Sequence, residues 1–372
     1  MKIKVLQVLI SIVRIILNLI YGLMKVRKTK NKIVFVSRQS DDKSLDFKLL
    51  EEELRKNEKD IEIKFFCKKL GKGFIKKISY CIYILRVMNN LANAKICITD
   101  GYSIPVSLLK HKKSLTIIQI WHASGATKKF GYQAIDTKEG SNSKVAKIMR
   151  MHYNYDYVLA PSKRTAEIFA AAFNVSKDKM KIIGLPRIDY LRKNANKLKE
   201  DFYSEHPAYK NKEIILYVPT FRKGKTADAN ELIRKTNKDK YGLIIRKHPL
   251  DSEKIEPEYL VDSKYDTMDL LKIADFIITD YSAIAYEASV LNKPLYFYVY
   301  DIDEYKNNRG LNVNLAKEMK EATFKKIDSI IKSIENDRYN YSDLDNFKKK
   351  YVEVYNKDNV KELINLITEN IN

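Results

Sequence analysis

The first thirty residues carry a pattern unlike the rest of the chain. From Val5 to Tyr21 the residues are apolar except for Gln7, Ser11, Arg14 and Asn18, and with Lys4, Gly22 and Lys25 these recur every three or four positions. Such spacing predicts a helix with one narrow polar stripe on an otherwise apolar surface. A span needs about 20 apolar residues and pays heavily for a charge at its centre, where Arg14 falls. A signal peptide needs a small-residue cleavage site, which Gly22-Leu-Met-Lys25 does not provide. The pattern fits a helix lying in the membrane interface, polar stripe toward water and basic flanks on lipid phosphates, with a spanning or a buried helix as the alternatives. A second basic run, Lys68 to Lys77, leads into the apolar helical stretch Ile78 to Met88 and offers a second membrane contact.

Beyond residue 31 short β-rich runs alternate with helical ones. Strands are predicted at 32–37, 61–66, 95–99, 116–121, 157–160 and 181–184, then at 213–218, 242–246, 276–279 and 294–299, with helices at 44–55 and 73–92 and over 324–336 and 344–371. Continuous apolar strands separated by helices indicate parallel sheets covered on both faces. The charged stretch Arg192 to Glu200 divides two such α/β halves, and a cleft between them is the expected ligand site.

The length of 372 residues and 45% hydrophobic content agree with two domains. Cys67, Cys81 and Cys97 are too few and too scattered for a disulfide scaffold or a zinc module. Lys and Arg total 69 against 47 Asp and Glu, a net charge of +22, so the partner is anionic. All seven charges in residues 1–30 are positive, which points to lipid, and no zinc-finger, RNP-type or helix-turn-helix signature supports nucleic acid.

Chemistry in open parallel sheets gathers at the carboxyl ends of strands. There the chain places Trp121-His122-Ala and Arg246-Lys247-His248-Pro249, one histidine in each half. Pro219-Thr220-Phe-Arg222, Pro186-Arg187 and Asp280-Tyr-Ser282-Ala283 follow other strands, and Ser282 falls at a helix start suited to phosphate. Arginines 187, 222 and 246 converging on one cleft would favour a diphosphate. There is no P-loop and no GxGxxG after a strand, and Asp301-Ile-Asp303 reads as a loop pair rather than a metal site.

In this order, Trp121-His122-Ala, Tyr217-Val-Pro-Thr-Phe-Arg222, Arg246-Lys-His-Pro249, Thr279-Asp-Tyr-Ser282, Leu291 to Tyr298 and Arg309-Gly310 resemble the CDP-glycerol glycerophosphotransferase family of wall teichoic acid synthesis. The resemblance implies a GT-B architecture, two Rossmann-like domains facing across a cleft, on the cytoplasmic face of the membrane. Residues 1–30 would be the interfacial helix, 31–190 the acceptor and membrane domain, 191–340 the CDP-alditol domain and 341–372 C-terminal helices. It makes His122 and His248 the essential pair and sets Arg187, Pro219, Thr220, Arg222, Arg246, Lys247, Asp280, Ser282, Ala283 and Glu287 around the donor. The family commonly has a second serine where this chain has Ala283 and an aspartate where it has Glu287. It implies transfer of glycerol phosphate from CDP-glycerol, or ribitol phosphate from CDP-ribitol, to a polyprenol-diphosphate-linked saccharide, with release of CMP, no cofactor and no obligatory metal. The Trp-His-Ala-Ser-Gly-Ala run looks primase-like; a polymerase, and a non-catalytic lipid-phosphate-binding scaffold, are the other readings.

Overall fold

The computed structural model describes residues 2–57, 60–71, 73–222, 229–247, 251, 253–262 and 264–371. They fall into two units. The first comprises Met1–His122, Phe130–Pro186 and Lys357–Asn372, and the second Ala123–Lys129 and Arg187–Asn356.

In the first unit, β1 (Lys32–Ser37), β2 (Glu62–Cys67), β3 (Ile96–Thr99), β4 (Thr116–Gln119), β5 (Tyr157–Ala160) and β6 (Met180–Ile182) form one parallel sheet in the order β2-β1-β3-β4-β5-β6. β1 and β3 are buried along their whole length, as parallel strands covered on both faces must be. Phe47, Leu50 and Leu54 of α2 (Leu45–Asn57) pack with Ile33, Phe35, Ile96 and Ile98, and so do Leu363, Ile364 and Ile367 of the helix Asn359–Ile371. The C-terminal segment therefore divides: the helix Tyr341–Tyr351 stays with the second unit and the last helix returns to the first. Asn359 is buried, and its Oδ1 accepts the Gly184 N–H at 2.8 Å.

Helix α1 (Lys2–Met24) is long and apolar enough to cross a membrane by length and composition. The C-terminal end of its polar stripe docks on the loop at residues 108–110, while Lys4 at the other end of the stripe stays exposed. Asn18 Nδ2 donates to the Leu108 carbonyl at 3.1 Å and Asn18 Oδ1 accepts the Lys110 N–H at 2.7 Å, while Lys25 Nζ donates to the Lys110 carbonyl. The loop's backbone groups need hydrogen-bond partners, and only the polar side of the helix supplies them. Val5, Leu9, Ile12, Ile16, Leu19 and Leu23 are left exposed. Next to α1 packs α3 (Phe74–Leu91), which buries Tyr83, Val87 and Leu91 and exposes Phe74, Ile75 and Ile78.

In the second unit, β7 (Glu213–Tyr217), β8 (Tyr241–Ile245), β9 (Phe276–Thr279), β10 (Leu295–Tyr298) and β11 (Thr323–Phe324) form a second parallel sheet, ordered β11-β10-β9-β7-β8. Strand β11 departs from the expected elements, since Phe324 was expected to open a helix that instead begins at Ile327.

Two histidines of the first unit, buried His152 and half-buried His111, are held neutral near pH 7. Burial holds His111 down at about 4 and His152 down at about 3, against about 6.5 in an unfolded chain. Below pH 6.5 the unfolded chain binds protons that the native state refuses, so stability falls as pH drops toward 4, by about 1.4 kcal/mol per pH unit for each histidine. Urea melts between pH 6.5 and 4.5 should show a shallower loss for His111→Gln than for wild type. Equal slopes would mean that His111 is already charged in the folded protein.

Candidate functional site: a cation-lined pocket at the strand ends of the second unit

The carboxyl ends of β9, β7 and β8 lie side by side, and the residues that follow them build one pocket of about 740 Å³. Pro219 and Thr220 come from β7, Arg246 and Lys247 from β8, and Ser282 from β9. Lys128 and Arg309 complete it. The described lining thus holds four cations and no carboxylate, so an anion is its natural occupant. Arg309 lies within a motif quoted from the sequence and Lys128 two residues past another, but nothing local to either placed it beside Arg246.

Beneath this rim is a buried polar network. Asp280 accepts the Thr220 N–H at 2.9 Å, the Thr220 hydroxyl at 2.6 Å, the Ser282 N–H at 3.1 Å and Arg222 Nη1 at 2.7 Å. The Arg222 guanidinium also bonds Asp301 twice, Nε to Oδ2 at 2.6 Å and Nη2 to Oδ1 at 3.2 Å. Burial opposes its charge, but Asp280 and Asp301 hold its pKa above the usual arginine value. Arg222 and Asp280 are not among the pocket's lining residues: they fix Thr220 and Ser282, and the expectation that Arg222 converges with Arg246 on one anion has no geometric basis here. Asp301 is committed to Arg222, and Asp303 pairs with Lys325 at 3.1 Å. Among the described residues no group of three or more His, Cys, Asp and Glu side chains is placed to hold a metal ion.

Glu287 and Arg187 form a separate cluster outside the lining. Glu287 is 1% exposed, lies 3.6 Å from Arg187 Nη1 and accepts the Ser124 N–H at 2.9 Å. Burial raises its carboxyl pKa, against the pull of Arg187 and the Ser124 bonds. Ala283 lies outside the lining at the start of the helix Ile284–Ser289, where Ser282 Oγ accepts the Ile284 N–H at 3.4 Å. The segment Ala123–Lys129 is held throughout. A Cβ at Gly125 would lie 2.5 Å from the Tyr286 ring, Thr127 Oγ1 donates to Tyr286 Oη at 3.3 Å, and Lys129 N–H donates to the Gly310 carbonyl at 3.0 Å.

His122 lies in the first unit, just past the carboxyl end of β4. Its Nδ1 lies 2.9 Å from the Asp100 carbonyl oxygen. A carbonyl only accepts, so Nδ1 carries the proton and the Nε2 lone pair is the basic one. Trp121 holds φ +61°, costly for a bulky residue, with its N–H bonded to Gln119 Oε1 at 2.8 Å and its ring 4.0 Å from that of His122, centroid to centroid. His248 lies outside the described residues.

An α/β protein with two parallel sheets and a cation-lined pocket at the strand ends of the second is the class this geometry defines. The family model for CDP-glycerol:poly(glycerophosphate) glycerophosphotransferase matches residues 20–369. The teichoic acid ribitol-phosphate primase of Bacillus spizizenii is 30% identical over 323 residues, covering 82% of each chain. The teichoic acid glycerol-phosphate primase of Bacillus subtilis is 31% identical over 297 residues, 77% of this chain and 76% of that one. Among solved structures, the wall teichoic acid polymerase TagF superposes with a TM-score of 0.77 at 21% identity, over 99% of this chain and 98% of that one, a likeness of fold. A variant of TagF soaked with CDPG gives a TM-score of 0.78 at 21% identity, over 100% of this chain and 97% of that one. The chain belongs to the CDP-glycerol:poly(glycerophosphate) glycerophosphotransferase family, whose members are phosphate-group transferases of teichoic acid synthesis.

Removing the Arg222 charge strands two buried carboxylates. Arg222→Met should cost about 3–5 kcal/mol of stability in the second unit, whereas Arg246→Ala at the rim should stay within about 0.5 kcal/mol. Chemical denaturation of both variants checks this. Equal losses would contradict the division between network and rim.

Proposed function

We propose that the protein transfers glycerol phosphate from CDP-glycerol to a polyprenol-diphosphate-linked saccharide, releasing CMP, as a primase does. The observation that carries this reading is the acid-free pocket holding Lys128, Arg246, Lys247, Arg309 and Ser282 in a chain of this family. Four cations suit a diphosphate, and the TagF variant solved after a CDPG soak supports that ligand class. The proposed arrangement is GT-B, with the two units facing across a cleft that brings His122 to the donor.

In this mechanism the Nε2 lone pair of His122 takes the proton from the acceptor hydroxyl as its oxygen attacks the β-phosphorus of the donor. The bond from that phosphorus to the oxygen bridging to CMP breaks, and CMP leaves with the charge. The pocket cations and His248 stabilise charge on the diphosphate and on CMP. Pro219 ends the β7 ladder with no N–H to donate, Ser282, whose N–H is held by Asp280, offers its hydroxyl to a phosphate oxygen, and Thr220, whose own hydroxyl is donated to Asp280, fixes the wall beside it. Arg187 and Glu287 act by anchoring Ser124, two residues after His122. The exposed apolar side of α1 supports a location on the cytoplasmic leaflet, with Arg27, Lys28 and Lys30 toward anionic lipid.

Ribitol phosphate is the second reading, favoured by the ribitol-phosphate primase being as similar as the glycerol-phosphate one. CMP release with CDP-glycerol or CDP-ribitol, with and without a lipid-linked disaccharide, separates the two. His122→Ala should lower acceptor-dependent release by about 100- to 10,000-fold with the fold intact. Arg246→Ala should weaken donor binding by about tenfold or more. Near-normal turnover by His122→Ala sinks the mechanism.

A further inference from the structure

One cavity takes no part in this transfer scheme. It measures about 430 Å³ and lies wholly within the first unit. Leu115 brings the start of β4 to it, Asp156 the residue before β5, and Lys179 the residue before β6. It therefore opens at the amino ends of three neighbouring strands, whereas His122 follows the carboxyl end of β4.

The cavity is positive. Lys112, Lys113 and Lys179 line it against one carboxylate, Asp156, whose Oδ2 already accepts the Ile117 N–H at 2.8 Å. The two lining histidines add no charge near neutral pH, since burial holds them at about 4 and about 3. His111 is also fully engaged, with Nε2 donating to the Val106 carbonyl at 2.8 Å and Nδ1 accepting from the Tyr21 hydroxyl at 3.0 Å. Tyr21 belongs to α1 and is buried. Lys112 Nζ donates to the Arg27 carbonyl, so the lining loop is the same loop that α1 and its basic continuation grip. The cavity thus adjoins the base of a helix whose apolar residues are exposed.

We propose that this cavity binds the phosphodiester headgroup of an anionic phospholipid drawn from the leaflet on which α1 lies. Its volume falls within the usual range for small-molecule sites, and lysines are suited to a phosphate approached from a membrane surface. An acceptor diphosphate is a poor fit, because the reacting histidine follows the opposite ends of the strands. The proposal rests on α1 being interfacial but not on the transfer chemistry. A bound headgroup would bridge Lys113 and Lys179 and lock the loop against α1, fixing how the first unit meets the bilayer.

The test uses dihexanoylphosphatidylglycerol below its micelle concentration, with the full chain and neither donor nor acceptor. Titration calorimetry should show saturable binding, and hydrogen exchange should slow over residues 111–117 and 174–179. Lys113→Glu should weaken that binding by about tenfold or more, while Lys48→Glu, the same charge change on α2, should leave it unchanged. Thermal melts confirm that both variants fold. Because CMP release is not the readout, failure here and failure of the transferase reading are distinguishable. Equal binding of dihexanoylphosphatidylcholine, of inorganic phosphate, or by Lys113→Glu would each overturn the proposal.

Discussion

Arg222 lies between Asp280 and Asp301, and the shape of the cation-lined pocket depends on that contact. Asp280 ties the turn after β7 to the turn after β9 through Thr220 and Ser282, and Arg222 pairs with it in the interior. Tyr281, Tyr300 and Tyr305 surround the guanidinium at 4.9–6.0 Å, which shields the network from water and strengthens it. The rim cations can then be turned toward a ligand because the geometry beneath them is held by a different arginine.

The split between a structural and a ligand-facing arginine shows where sequence reading reached its limit. Arg222 and Arg246 each follow a strand and look alike locally. What separates them is Asp280 and Asp301, 58 and 79 positions from Arg222, and no local pattern reveals such a pairing. The strands themselves were legible, because parallel strands covered on both faces must be apolar throughout. β11 was not, because two residues have no periodicity and become a strand only by lying beside β10. For α1 the spacing correctly grouped the polar residues on one face, yet periodicity carries no information about which way a face points. The backbone groups of residues 108–110 decided that for Asn18 and Lys25, and turned that end of the stripe inward.

In the proposed mechanism His122 would be a base whose tautomer is set by the backbone. The Asp100 carbonyl does what a carboxylate does in many hydrolases, fixing the tautomer without adding a charge. Trp121, in a left-handed conformation and stacked on Phe130 at 5.0 Å, limits where the imidazole can swing. The loop that follows, with Gly125 against Tyr286 and Lys129 on Gly310, is as firmly held, so strain at Trp121 cannot relax into the neighbouring segment.

The return of the last helix to the first unit bears on the order of events at the ribosome. Ile33, Phe35, Ile96 and Ile98 are covered by Leu363, Ile364 and Ile367, which are synthesised after all of the second sheet. The N-terminal sheet must therefore wait with part of one face open while the second unit is made, reversing the usual rule that the first domain made is the first finished. During that wait α1 is already made, so on the proposed interfacial reading the nascent chain would be anchored before its first unit is closed.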